Sequence, residues 1–218
     1  MLRAAIGLAD ERGIESVTMR KLAQELGVEA MSLYYYVAKK DDILNAIVDL
    51  VVSEIELPSP GADWKAAIRK TAISAHDVLV RHPWAASLML SATGASPARW
   101  RYVDAILGCL RGADFSADMT DDAYHALDSH ITGFTLWEVQ FQIDPETLPD
   151  LAATFLRELP ADKYPHLVEH VHQHLQERSP DDEGAFAFGL DLILDGLERI
   201  RDTAGDLAGA EGFEPSIS

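Results

Sequence analysis

The chain has little cysteine, little positive charge, no long apolar run and no strand-like alternation, and each shortage excludes something. A single cysteine, Cys109, rules out internal disulfides and cysteine-rich metal centres. In the run VDAILGCLRG it reads as an apolar filler. Eighteen Lys and Arg stand against thirty-six Asp and Glu, a net charge of −18 that at first sight argues against a nucleic-acid partner. No stretch of eighteen uncharged apolar residues occurs, so neither a membrane span nor a membrane partner is expected. The opening MLRAAIGLADERG is interrupted by Asp10 and Glu11 too early to form a signal-peptide core, and the cytoplasm is the expected compartment. There is no GxSxG elbow, no P-loop and no GxGxxG ahead of a strand, so an enzyme is not expected.

What is present is helical periodicity, and an all-α fold is expected. Leu2, Ala5, Ile6 and Ala9 stripe a first helix that Gly13 ends. Thr18 is a natural N-cap for a second helix, 19–26. After Lys40 the run DDILNAIVDLVVSEIEL places acid where a helix dipole favours it. PSPGAD, 58–63, is the clearest break between a small N-terminal unit and the rest. Further helices are expected over 64–81, ended at His82-Pro83, then over 84–92, closed by TGASP, and over 97–110. A long helix follows over 121–141 and stops before Asp144-Pro145. The proline-punctuated stretch 145–182 holds one or two short helices, and 182–201 forms a last long one. The glycine-rich acidic tail, 203–218, is expected to be disordered.

The segment from Thr18 to Lys40, TMRKLAQELGVEAMSLYYYVAKK, is the most informative. It reads as a helix, a turn at Gly27 and a second helix over 30–36. At helical spacing only Leu33, Val37 and one tyrosine can face inward, which leaves aromatic hydroxyls outside. The charge is also unevenly spread. Residues 1–45 carry six basic and seven acidic side chains, a balance of −1, and the remainder carries −17. Arg20, Lys21, Lys39 and Lys40 flank the helix pair, where phosphates would lie.

The run AIGLADERGIESVTMRKLAQELGVEAMSLYYYVAKKDDIL resembles the N-terminal pattern of TetR-family transcriptional repressors almost without gaps. The resemblance weakens through DWKAAIRKTAISAHDVLVRHPW and returns at GAFAFGLDLILDGLERI, which is similar to the tetracycline-repressor branch. It implies a homodimer. Each subunit would carry a helix-turn-helix DNA-binding domain, 1–45, on a larger helical ligand-binding and dimerisation domain, 46–202. Two such heads would read a pseudo-palindromic double-stranded DNA operator and release it when a small-molecule inducer binds; the alternatives are a regulator that needs no inducer or an activator, and, more distantly, a helical metal-binding protein or enzyme. The family's DNA-contacting positions fall on Thr18, Arg20, Ala30, Ser32, Tyr34, Tyr35, Tyr36 and Lys40. The Thr18 hydroxyl and Lys40, at a helix start, suit phosphate oxygens. Arg20 suits a guanine edge, while Ala30 and Met31 can offer only apolar contact. One of the three tyrosines is expected to be mainly structural. The basic arm that many members carry has no counterpart before Leu2, so either it is absent or the start lies further upstream. Positions matching the branch's magnesium-chelating histidines read Glu56 and Met89, and neighbouring drug contacts read Thr71, Ala75 and Ala92. Neither tetracycline nor magnesium is carried over, and no cofactor or metal is expected.

Aromatic and apolar residues in the middle helices are the candidates to line a ligand pocket: Trp84, Leu88, Met89, Trp100, Val103, His130, Phe134, Trp137 and Phe141. Ordinary core packing is the competing reading for each. They suit a bulky, largely apolar inducer. In the last helix Phe186, Leu190, Ile193, Leu197 and Ile200 form a stripe, with Gly189 and Gly196 seven apart for close helix approach. Ile131, Leu190, Ile193 and Leu197 are the expected dimer residues of a four-helix bundle, with core packing inside one subunit as the alternative. His166, His170 and His174, with His172 beside them, have the spacing of a divalent-ion site, against which stands a plain solvated helix.

Overall fold

The computed structural model describes residues 1–37, 39–91, 96–141, 146–175 and 184–211. Ala92, most of TGASP, the stop at Asp144-Pro145 and residues 212–218 of the tail lie outside them. The described residues form eleven α-helices, one 3-10 turn and no strand.

A small head comprises α1 (Leu2–Arg12), the 3-10 turn Ile14–Ser16, α2 (Met19–Glu25) and α3 (Ala30–Leu33). Its centre is filled by Ala5, Leu8, Val17, Leu22 and Leu33. The buried Ser16 hydroxyl donates to the Leu8 carbonyl and so closes the α1–α2 connection without an unpaired polar group. The α2–α3 turn is a Schellman motif. Gly27 sits at φ 66°, Val28 N–H donates to Ala23 O and Gly27 N–H to Gln24 O.

Next, α4 (Lys40–Val52) packs against α1 on one side and against α6 and α7 on the other, so one continuous helix serves both head and body. The body continues with α5 (Trp64–Arg81), α6 (Pro83–Ser91), α7 (Pro97–Gly112), α8 (Ala117–Gln140), α9 (Leu148–Glu158), α10 (Pro165–His174) and α11 (Gly184–Glu211). Side-chain caps start three of these helices: Asp63 for α5, Ser96 for α7 and Ser116 for α8. The body core is the packing of α5, α8 and α11 with α7 alongside, and Ile68, Leu79, Leu110, Leu127, Leu190 and Leu194 are fully buried there.

Three expectations need correction. The second helix of the reading pair ends at Leu33 rather than Tyr36, since a single turn carries only Leu33 into the core and the backbone then tightens. The long helix begins at Ala117 rather than 121, because Ser116 caps it. The last helix runs ten residues past Arg201 to Glu211, so the first part of the expected disordered tail, 203–211, is helical.

Candidate nucleic-acid interface and ligand site

Thr18 is the N-cap of α2, and its Oγ1 accepts from Lys21 N–H at 3.2 Å. Arg20 stands exposed one residue into that helix, and Ala30 and Ser32 are half-buried on α3. Tyr34, Tyr35 and Tyr36 follow in a turn, and all three are exposed, at 48, 89 and 79%. The expectation that one of them would be structural is therefore overturned. Leu33 and Val37 are the residues of this stretch that pack into the head's core. Met31, 71% exposed, joins the same surface. Lys40 is the first residue of α4, and Lys39 precedes it. Asp42 Oδ2 accepts from Lys39 N–H at 3.1 Å, which fixes this helix start beside the tyrosines. Three exposed tyrosines and the exposed Arg20 thus lie in the same 18–40 segment as the half-buried Thr18 and Ser32 hydroxyls and Lys40.

The residues read as a ligand pocket separate into four places. Trp84 is buried at the α5–α6 corner, where its indole N–H donates to Asp10 Oδ1 at 2.7 Å. Met89 is buried, with its carbonyl accepting from Arg99 Nη1 at 2.7 Å, and Leu88 is half-buried beside the core. Trp100 is 61% exposed and, with Val103 and Leu107, lines an open groove of about 670 Å³ on the outer side of α7.

His130, Phe134 and Trp137 do come together, and they gather partners that sequence spacing left unassigned. The His76 ring stacks on Phe186 with centroids 4.0 Å apart, and the His130 ring does so at 4.9 Å. Phe134 meets Phe186 edge-on at 5.6 Å and Trp137 at 5.6 Å, and Phe141 extends the row. Polar ends are satisfied: His76 Nε2 donates to Glu138 Oε2 at 2.7 Å, and His130 Nε2 to the Phe186 carbonyl at 2.9 Å. Gly189 permits this, since a Cβ there would lie 2.6 Å from His130 Cε1. The result is a packed row of rings from α5, α8 and α11 with one carboxylate–imidazole pair at its edge.

A second polar group lies between α7 and α8. Burial pushes the Asp128 carboxyl upward, with Arg99 and His125 opposing, and burial beside Asp128 pushes the Tyr124 phenol up to about 12. Glu56 pairs with Lys70 at 2.5 Å, and Thr71 and Ala75 are buried in the core.

Of the expected dimer residues, Ile131 and Leu190 are buried within one subunit, so the core alternative holds for both. Ile193 and Leu197 are half-buried. The outward face of α11 is instead Phe188, Leu192 and Ile200, at 68, 57 and 58% exposure. Beside it α8 exposes Ala126, Ser129, Gly133 and Trp137, and Phe141 is exposed just after its end.

His166, His170, His172 and His174 lie exposed on α10, and His174 Nδ1 donates to the His170 carbonyl at 3.0 Å. Among the described residues, no three His, Cys, Asp or Glu side chains converge as a metal site.

Comparison with known proteins agrees with this layout. Residues 1–47 match the model of bacterial regulatory proteins of the tetR family, and residues 57–201 match the tetracyclin repressor-like C-terminal domain. This chain belongs to the TetR family. A TetR-family chain of this kind is a helix-turn-helix transcriptional repressor of the tetracycline-repressor-like branch, with a DNA-binding head on a helical ligand-responsive body. It is 31% identical to tetracycline repressor protein class D of Escherichia coli, over 91% of this chain and 87% of that one. It is 33% identical to an HTH-type transcriptional regulator of Saccharopolyspora erythraea, over 61% of this chain, and the match spans 57% of that protein's length. A possible TetR family transcriptional regulator from Streptomyces coelicolor superposes with a TM-score of 0.73 at 28% identity, covering 91% of this chain and 97% of that one. No helix among the described residues is long and apolar enough to cross a membrane.

Proposed function

We propose that this protein works in the cytoplasm as a homodimeric repressor, without catalytic activity, that leaves its operator when a flat, largely apolar small molecule binds the body. Residues 1–45 form the reading head, and 46–202 form the ligand-binding and dimerisation body. The observation that carries the reading is the exposed edge of Thr18, Arg20, Ala30, Ser32, Tyr34, Tyr35, Tyr36 and Lys40. It carries Arg20 and Lys40 and no acidic side chain, within a 1–45 segment at −1 in a chain whose remainder is at −17, and its three tyrosines are exposed rather than packed into the head's core. Thr18, the tyrosines and Lys40 hold phosphates, and Arg20 with the tyrosines discriminates bases. Two heads in one dimer enter successive major grooves roughly 34–36 Å apart.

The inducer site is assigned to the cluster of His76, His130, Phe134, Trp137, Phe186 and Glu138. Its rings pack against one another, so a planar guest must part them and stack in their place, and Glu138–His76 supplies the polar contact. The dimer forms through α8 and α11, whose outward apolar faces have no partner within the subunit. Release requires that the ligand prefer the head arrangement that does not fit DNA, since equal affinity for both states shifts nothing.

The test is selection of duplexes from a randomised pool by the purified full-length protein, then footprinting on the enriched sequence and a thermal-shift screen of planar compounds. A palindromic footprint and a compound that both raises the melting temperature and releases the duplex are expected. Failure to enrich any duplex would sink the DNA assignment. Binders that stabilise the protein without releasing DNA would sink the inducer assignment.

A further inference from the structure

Two carboxylates in the last turns of α1 and α4 sit where helix dipoles disfavour them. Asp10 lies three residues from the start of the loop that follows α1, and Asp49 lies in the last turn of α4. Each is compensated by reaching across to the start of a body helix. Asp49 Oδ1 accepts from Ser96 Oγ at 2.8 Å and from Ala98 N–H at 2.7 Å, which caps α7. Asp10 Oδ1 accepts from His82 Nδ1 at 2.8 Å and from Trp84 Nε1 at 2.7 Å, at the corner where α5 turns into α6. His82 and Trp84 are both buried, and their rings meet edge-on at 6.1 Å. On the far side of His82, Glu54 lies 3.8 Å from Nε2 and pairs with Arg81 at 3.2 Å.

The Asp49 bonds act on α4, the helix that already joins head to body. The Asp10 bonds bypass it, joining α1 directly to the α5–α6 corner. We propose that Asp10, His82 and Trp84 form a clasp that fixes the angle of the reading head against the body, acting in parallel with α4. The three are positioning residues: none lies on the exposed edge of the head or in the aromatic cluster. Two charge-assisted bonds on one carboxylate oxygen, both from buried donors, give a short link with little freedom. A tilt of α6 therefore moves the C-terminal end of α1, and through it α2 and α3, even where α4 stays in place. The inference goes beyond the repressor reading and adds a second route between the two parts.

The test uses the full-length dimer with Cys109→Ala and a spin label at Glu25→Cys, an exposed α2 position outside the proposed DNA edge. Pulsed electron–electron resonance then reports the distance between the two heads. Asp10→Ala and Trp84→Phe are each expected to broaden that distance distribution. Each should also weaken binding to a duplex selected with the unaltered protein, by about tenfold for Asp10→Ala. Asp10→Asn keeps the accepting oxygen and should stay nearer the parent, and adding Trp84→Phe to Asp10→Ala should change little more. A purely structural role predicts lower melting temperatures with unchanged head-to-head distances, and that result overturns the clasp. Should Asp10→Ala not fold, Trp84→Phe and Asp10→Asn still decide. If the parent selects no duplex, the DNA reading fails on its own and the distances alone judge the clasp.

Discussion

Gly189 is the position where one added methyl group would be felt most directly. The new Cβ would press on His130 at 2.6 Å. That ring cannot swing away without leaving its stack on Phe186 and its bond to the Phe186 carbonyl. Gly189→Ala is expected to destabilise the protein by about 1–3 kcal/mol, the ordinary cost of overpacking, although alanine is the better helix former. Thermal unfolding should show a fall of several degrees, and an unchanged midpoint would mean that the ring does not pack as described. On the reading edge, energy and information separate by residue type. Lys40→Ala removes a point charge at a helix start, so binding should weaken uniformly across sequences, with the salt slope shallower by about 1. Tyr35 is nearly fully exposed and its ring is not packed into the head. Tyr35→Ala should leave the melting temperature in place while operator affinity drops, and a filter or anisotropy titration at several salt concentrations distinguishes the two variants.

Between elements, α5 and α11 are joined by a ladder of ion pairs. Lys65 Nζ lies 2.7 Å from Asp195 and 2.6 Å from Glu198, and Arg69 reaches Asp191 at 2.7 Å. Hydrogen bonds to Asp195 and Glu198 hold the Lys65 ammonium above its ordinary 10.5, and the bond from Lys65 holds the Asp195 carboxyl below its ordinary 3.8. The signs then follow. The carboxyl's share is present above about pH 4 and is lost as pH falls through the depressed folded value. The ammonium's share is present below about pH 10.5 and is lost as pH rises through the raised one. These groups are solvated, so the effect is small and screened by salt. The melting difference between the parent and Lys65→Gln should be largest at neutral pH and low salt, and should close in strong acid, in strong alkali and in high salt. A difference independent of pH would assign Lys65 a packing role instead. The element boundaries themselves were largely written in the sequence where a side chain dictates them, as at Asp63, Pro83, Pro97 and Gly27. They were misread where no such signal acts. Nothing between Arg201 and Ala204 breaks a helix, so α11 runs on, and three adjacent tyrosines suggested a longer α3 than one turn of core contact supports. The ligand cluster was half legible for a related reason. Spacing shows that His130, Phe134 and Trp137 share a side of α8, but not that Phe186 and His76 arrive from α11 and α5 to meet them, or that Trp84 turns instead toward Asp10.

For the whole molecule, the decisive surface is the apolar face that one subunit leaves uncovered. Ile131 and Leu190 are spent inside the subunit, so removing them would unfold it rather than separate two copies. Phe188, Leu192 and Ile200 are exposed on α11, and the small residues Ala126, Ser129 and Gly133 are exposed on α8, which packs against it. A large side chain on one helix facing small ones on another is the arrangement in which helices approach closely across a two-fold axis. Within one subunit Gly133 has no atom within 4 Å of a built Cβ, and Gly196 meets only the far end of Arg199 at 4.0 Å. Neither glycine is required by its own subunit, and each costs roughly 1 kcal/mol of helix propensity against alanine. A partner helix lying against them supplies the reason for both. Leu192→Glu should therefore give a folded, helical monomer by sedimentation and circular dichroism. It should lose most operator affinity, because a single head makes only half of the phosphate and base contacts. Gly196→Ala sharpens the point. It should weaken the dimer although alanine is favoured in an isolated helix, and a variant that instead melted higher with an unchanged dimer would move the interface off this stretch of α11.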